Sequence, residues 1–217
     1  MSKVTQAHID ARREAIRDAA VRLFVQKGVE GARMEEIAAA AGLSAGAIYR
    51  YFPSKEHLLL ATLNFCIEQN IALFDTDGLE TASPLAVLNL TARQVWDRLG
   101  TSAERDMTML RLESALVAAR YGGTFAAERH EMLVQIVSFI ESLLREAQQT
   151  GEIDSAVDAH NLATTLVGAW IGLDLLALDF DEEIDREGTL TVIADVLRRF
   201  APPSTPPEGG TPNGIPF

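Results

Sequence analysis

A single cysteine, Cys66, in 217 residues excludes a disulfide within the chain and sets aside a cysteine-based zinc site. Cys66 lies in "LNFCIEQ", the apolar setting of a small buried hydrophobe. Histidine is nearly as scarce. His8, His57, His130 and His160 are scattered, and no pair has the His-x-x-x-His spacing that puts two imidazoles on one helical face. His130-Glu131 lacks the second histidine of a zinc protease. There is no G-x-S-x-G and no phosphate-cradling glycine loop. The chain therefore reads as a non-enzyme with no cofactor and no metal, and acidic runs such as "DFDEEIDRE" as a solvated loop and helix start. The N-terminal "MSKVTQAHIDARRE" has no apolar signal-peptide core. The most apolar segment, Asn161 to Leu178, is interrupted by Asp174, and the uncharged run before it is too short to span a bilayer. The expectation is a soluble, cytoplasmic protein without a membrane partner.

Proline and glycine are sparse through most of the chain, and 47% of residues are hydrophobic. This length can bury a stable core, and strong helix formers at helical spacing predict an all-α fold. The formal charge of −12 is unevenly divided. Residues 1–57 hold nine bases against seven acids, a net +2, which leaves −14 for the remainder. A mildly basic head on an acidic body suits a protein that meets a polyanion at one end only.

A first helix reads from about Asp10 to Lys27, with Ile16, Ala20, Leu23 and Phe24 on one apolar stripe. Gly28 ends it in the manner of a C′ glycine. A second helix runs from about Met34 to Ala41, with Glu35 and Glu36 near the positive end of its dipole. Gly42-Leu43 make a tight turn and Ser44 caps a short third helix, which Pro53 stops at Phe52. Ser54 caps a fourth, from Lys55 to about Leu73. Helix, glycine turn and short helix, completed by a preceding helix, is a helix-turn-helix pattern. Four or five more helices follow, at about Pro84–Leu99, Ala103–Arg120, Thr124–Thr150, Ser155–Leu178 and Glu183–Phe200, with breaks at Gly100, "YGG", "TGEIDS" and "DFDEE". The tail, 201–217, is rich in proline and glycine and is expected to be disordered or a linker. The predicted organisation is a head over 1–57, a body over 58–200 and the tail.

In the third helix, at about 100° per residue, Ile48 and Phe52 point together into the core and Arg50 points almost opposite. Gly46 and Ala47 flank Arg50, while Tyr49 and Tyr51 lie on the borders. Small residues let the N-terminal end approach base edges, and an arginine can bond guanine. Tyrosine hydroxyls at the flanks can bond phosphate oxygens. Lys55 and the free N–H groups of the next helix's first turn offer a further phosphate clamp.

The run "AAVRLFVQKGVEGARMEEIAAAAGLSAGAIYRYFPSKEHLLLATL", Ala19 to Leu63, resembles the DNA-binding segment of the TetR family of transcriptional regulators. Ala19, Leu23, Phe24 and Gly28 match in the first helix. Ile37, Ala38, Ala41, Gly42 and Leu43 match in the second helix and turn. Ser44, Gly46, Tyr49, Tyr51, Phe52, Ser54 and Lys55 match beyond it. The resemblance implies a dimeric, all-helical regulator whose head binds a roughly palindromic operator in double-stranded DNA and whose body binds a small-molecule effector. It implies phosphate contacts from Tyr49, Tyr51 and Lys55, and base reading by Ala45, Gly46, Ala47 and Arg50. Ser44, Ser54 and Arg33 complete the candidate DNA-contact set. Arg33 stands in a stretch that is often Thr or Ser in the family, and a charged contact and a solvated side chain weigh equally there.

In the body, Ser155–Leu178 is apolar on nearly every side, as a helix covered on two faces should be, and Gly168 and Gly172 would let another helix approach. With Leu162 and Leu166 they are the candidate dimer interface, and the family resemblance points the same way. Asp174 calls for a partner or for solvent. Trp96, Met107, Leu110, Ser114, Phe139 and Trp170 are candidates for an apolar effector cavity, with Arg111 or Glu113 as a charge in its wall. The reading is a transcriptional repressor released from its operator by an effector. The alternative is a helical dimeric interaction protein that no longer binds DNA.

Overall fold

The computed structural model describes residues 6–72, 83–98, 101–180 and 183–202. The expectation for the tail falls almost wholly outside them. Among the described residues the regular elements are all helices: α1 (Gln6–Gly31), α2 (Met34–Ala40), α3 (Ala45–Ile48), α4 (Lys55–Ala72), α5 (Pro84–Trp96), α6 (Ser102–Tyr121), α7 (Gly123–Gln149), α8 (Ala159–Phe180) and α9 (Arg186–Arg198). Side-chain caps explain several starts. Ser83 accepts from the Ala86 N–H and Thr101 from the Glu104 N–H, each at 3.2 Å, and Asp185 accepts from Gly188 at 2.9 Å. Each bond satisfies a donor that has no partner within the helix.

The apolar stripe of α1 is buried through Ile16, Ala20 and Phe24, against Ile37 and Ala38 of α2, Ile48 of α3 and Leu58, Leu59 and Leu63 of α4. The same cluster takes in Leu110 of α6 and Met132 of α7, so the head's core is continuous with the body's. A second core joins α5, α7, α8 and α9 around Leu88, Leu144, Ala147, Leu162 and Leu197. By length and composition alone α8 could cross a membrane. Here it packs against α7 and α6, and Asp174 is buried with a partner: its carboxylate accepts from Arg111 NH2 at 2.6 Å and Arg111 Nε at 3.0 Å, and from the Thr108 hydroxyl at 2.8 Å. Glu104 accepts from the same Arg111 at 2.7 Å.

Gly28 breaks the first helical run as its sequence position suggests, and a further short helical turn follows it. The glycine has φ 72° and ψ 161°, a region essentially closed to other residues, and the chain kinks there and resumes helix to Gly31. The Ala32 N–H returns to the Gly28 carbonyl at 3.1 Å. At the kink the Val29 N–H donates to Glu113 Oε2 of α6 at 2.6 Å. Beside it, the Tyr121 hydroxyl donates to Glu30 Oε1 at 2.8 Å. Head and body thus meet at residues 28–32. A Cβ on Gly28 would lie 3.2 Å from Glu113 Oε1 and would force a side chain into the glycine-only region. Gly28→Ala is expected to cost about 1–3 kcal/mol, read as a lower urea midpoint at an unchanged m-value.

Candidate nucleic-acid interface and ligand cavity

The short helix α3 follows a turn in which Gly42 takes φ 69°, a conformation that glycine adopts without a Cβ penalty. The Leu43 N–H closes the turn on the Ala38 carbonyl at 2.8 Å. Ile48 and Phe52 are buried, while Ala45, Gly46, Tyr49 and Arg50 are exposed and Ala47 is half-buried. This is the division the helical spacing predicts. Ser44 occupies the N-cap with extended backbone but makes no capping bond, so its hydroxyl is not committed to the helix. Tyr49 is 46% exposed and its hydroxyl approaches Glu35 Oε1 at 3.4 Å. Partial desolvation, then the Glu35 charge, raises that hydroxyl above the usual tyrosine pKa. Tyr51 packs partly against the head core. Arg33 is an exposed N-cap of α2.

Two positions have structural roles besides the expected ones. Ser54 accepts from the His57 N–H at 3.3 Å, capping α4. Lys55 donates to the carbonyls of Glu30 at 2.9 Å and Ala32 at 3.3 Å, where α1 ends and carbonyls lack helical partners. A cation there also suits the negative end of the helix dipole. The expected phosphate clamp is therefore also a bolt between α4 and the end of α1. Lys27 and Glu36 pair at 2.8 Å on the surface, which removes one base from the free positive charge of the head.

In the body, an apolar cavity of about 170 Å³ lies among α4, α5, α7, α8 and α9. Trp96, Phe139, Leu166 and Trp170 line it, with Leu88 and Leu190 among the others. A second cavity of about 110 Å³, near α6, is lined by Cys66, Met107, Arg111, Ser114, Arg129, Trp170 and Asp174, among others. Ile67, Ile136 and Trp170 belong to both walls. Five of the six residues named from sequence for a cavity thus line one of the two. Leu110 lines neither: it is fully buried in the head's core. Glu113 is not a wall charge either, because it faces the α1 kink. Burial, reinforced by Glu104, pushes the Cys66 thiol up, consistent with an unreactive packing role. Burial pushes Asp174 up, opposed by the Arg111 guanidinium and the Thr108 hydroxyl.

Of the residues proposed for a dimer interface, Gly168 and Gly172 are exposed, but Leu162 belongs to the second core and Leu166 faces the apolar cavity. The sequence named one stripe of α8; the helix presents two. The exposed one continues through Ile171, Leu175 and Leu176, and Val192 and Val196 of α9 are exposed as well. No group of three or more candidate metal ligands occurs among the described residues.

A helix-turn-helix head fixed to an all-helical body with internal cavities defines a ligand-responsive class of DNA-binding regulators. Residues 16–62 match the family model of bacterial regulatory proteins, tetR family, the family the sequence resembles. It is 28% identical over 166 residues to the HTH-type transcriptional repressor KstR of Mycobacterium tuberculosis, covering 76% of this chain and 70% of that one. It is also 28% identical over 144 residues to the fatty acid metabolism regulator protein of Bacillus subtilis, covering 66% and 71%. A TetR-family regulator from Rhodococcus sp. superposes with TM-score 0.72 and 26% identity, over 87% of this chain and 99% of that one. FadR of Bacillus subtilis, in complex with stearoyl-CoA, shares the fold at TM-score 0.71 and 22% identity, over 85% and 96%.

The carbonyl bonds of Lys55 were invisible in the sequence because the partners lie 25 and 23 residues away. Lys55→Met is expected to cost about 1–3 kcal/mol of stability through the unsatisfied carbonyls. Thermal unfolding without DNA checks this, since a lysine serving phosphates alone would leave the midpoint unchanged.

Proposed function

We propose that this protein is a transcriptional repressor that binds a palindromic operator as a homodimer and leaves it when a small apolar effector enters the body. It works as a cytoplasmic regulator and not as an enzyme. The observation that carries the reading is α3 with the turn that follows it: a short segment, anchored inward by Ile48 and Phe52, whose open side holds Ala45, Gly46 and Arg50. That face can approach a major groove closely, with Arg50 as its one long donor. Tyr49, Ser44 and Arg33 surround it with groups suited to phosphate oxygens, and Tyr51, Ser54, Lys55 and Ala47 complete the contact set. Residues 1–57 form the DNA-binding head and 58–200 the effector and dimerisation body.

The exposed stripe of α8 and α9 supports dimerisation. Leu175, Leu176, Val192 and Val196 are each more than 40% exposed, and Leu175 and Leu176 follow Gly168 and Gly172 along one face of α8. A dimer covers them and sets two α3 helices toward successive major grooves. The larger, apolar cavity supports an effector with an apolar part, and FadR of Bacillus subtilis, a protein of this fold, is in complex with stearoyl-CoA, which carries a long acyl chain.

Binding of the effector-free protein to operator-bearing DNA should fall by roughly 10³-fold between low and moderate salt, as phosphate neutralisation requires. Absence of binding at low salt refutes the regulator. Tyr49→Phe should weaken all sequences about equally, whereas Arg50→Ala should relax preference at one base position. A selection on randomised DNA distinguishes these outcomes. Nothing lies within 4 Å of a Cβ built on Gly172, so Gly172→Arg should leave the protomer folded and, in light scattering, abolish the dimer. A Gly172→Arg protein that remains dimeric places the interface elsewhere.

A further inference from the structure

Among the described residues the body holds a half-buried cation with no counter-charge. Arg129 of α7 is half-buried and lines the cavity near α6. Its Nε donates to the Ser114 hydroxyl at 3.1 Å. Among the described residues no carboxylate lies within ion-pair distance of it. The contrast with its neighbour is plain: Arg111, in the wall of the same cavity, is held by both Asp174 and Glu104. Burial lowers the pKa of the Arg129 guanidinium, and no neighbouring carboxylate offsets that. A half-buried guanidinium without a counter-charge leaves part of its desolvation uncompensated, and its planar fork fits a carboxylate.

The second observation is what lies on the other side of the shared wall. The cavity beyond Ile67, Ile136 and Trp170 is lined almost wholly by hydrocarbon and indole, with Val95, Ile140, Leu173 and Ile193 among its residues. One chamber thus offers a cation without a carboxylate partner and the adjoining one offers room for an apolar chain.

We infer that the two chambers form one site for an amphipathic carboxylate, with the carboxylate on Arg129 and its hydrocarbon chain running past Trp170 into the apolar chamber. This rests on the reading of the body as an effector domain and adds the chemical class of the effector and the residue that selects it. The carboxylate supplies the counter-charge that Arg129 lacks, and the chain displaces water from apolar walls. Because Ser114 also donates to the Arg111 carbonyl at 2.7 Å, a ligand on Arg129 acts on α6, the helix whose Glu113 holds the α1 kink.

The chain's two tryptophans, Trp96 and Trp170, both line the apolar chamber, so intrinsic fluorescence reports its occupancy without DNA. The effector-free protein is titrated with dodecanoate and with the uncharged probes dodecanol and methyl dodecanoate. Dodecanoate should bind about tenfold more tightly than either, the effect of one charge-assisted hydrogen-bonded pair. Arg129→Gln should remove that preference and leave dodecanol binding unchanged, which also shows that the variant is folded. Arg129→Lys should retain part of the preference. Equal binding of charged and uncharged probes, a preference that survives in Arg129→Gln, or no binding of any probe overturns the inference. Operator binding is measured separately. A protein that binds DNA but shows no carboxylate preference loses this site alone, and one that selects dodecanoate through Arg129 without binding DNA loses the regulator reading alone.

Discussion

The bond from the Val29 N–H to Glu113 Oε2 joins residues 84 positions apart, and the placement of the head depends on it. It is possible only because Gly28 turns the backbone through a region that other residues avoid. Lys55 then binds the carbonyls of Glu30 and Ala32, and Tyr121 binds the Glu30 carboxylate. Three bodies of structure therefore converge on five residues: the end of α1, the start of α4 and the length of α6. Since α2 packs on α1 and α3 on α2, the orientation of α3 is referred through this junction to α6.

The same α6 carries the polar interior of the body. Glu104, Thr108, Arg111 and Ser114 recur along it at spacings of three and four residues, which places them on one face. Arg111 binds two carboxylates and also lies 5.4 Å from the Trp170 ring centroid, a cation–π distance. Such a cluster gives little net stability against an apolar replacement, but removing one member leaves a buried charge and costs about 3–5 kcal/mol. Its consequence is geometric: α8 can sit against α6 at the rotation that brings Asp174 to Arg111. That rotation turns Leu166 toward the apolar cavity and leaves Gly168, Gly172 and Leu176 outside.

Much of the head was legible from sequence because its signals are local. The Gly42 turn and the Ile48–Phe52 spacing lie within a dozen residues, and each has a steric or periodic cause; the third helix itself ends at Ile48, before the Phe52 stop that Pro53 suggests. The helices of the body were legible for the same reason, to within a few residues at most ends. What could not be read is how each helix is turned against neighbours far away in the chain. Leu110 was named for a cavity and belongs to the head's core; Leu162 was named for an interface and lies inside. Gly28 ends the first helical run as read, but a local view cannot include the Glu113 that its kink engages. Arg129 carried no signal at all, since an arginine on a charged helix is unremarkable until its surroundings are known to lack an acid.

The division of charge between a +2 head and a −14 remainder has a consequence for kinetics. A molecule with opposed charge at its two ends is turned by the field of a polyanion before it touches it. Body-first collisions are repelled and head-first ones admitted, so the acidic body acts as an orientational filter on encounter. The filter works over a Debye length, about 8–10 Å at physiological ionic strength. Acidity that looks unsuited to a nucleic-acid partner thereby reduces the number of unproductive approaches, and neutralising the far side of the body would slow finding the operator without touching a single contact to it.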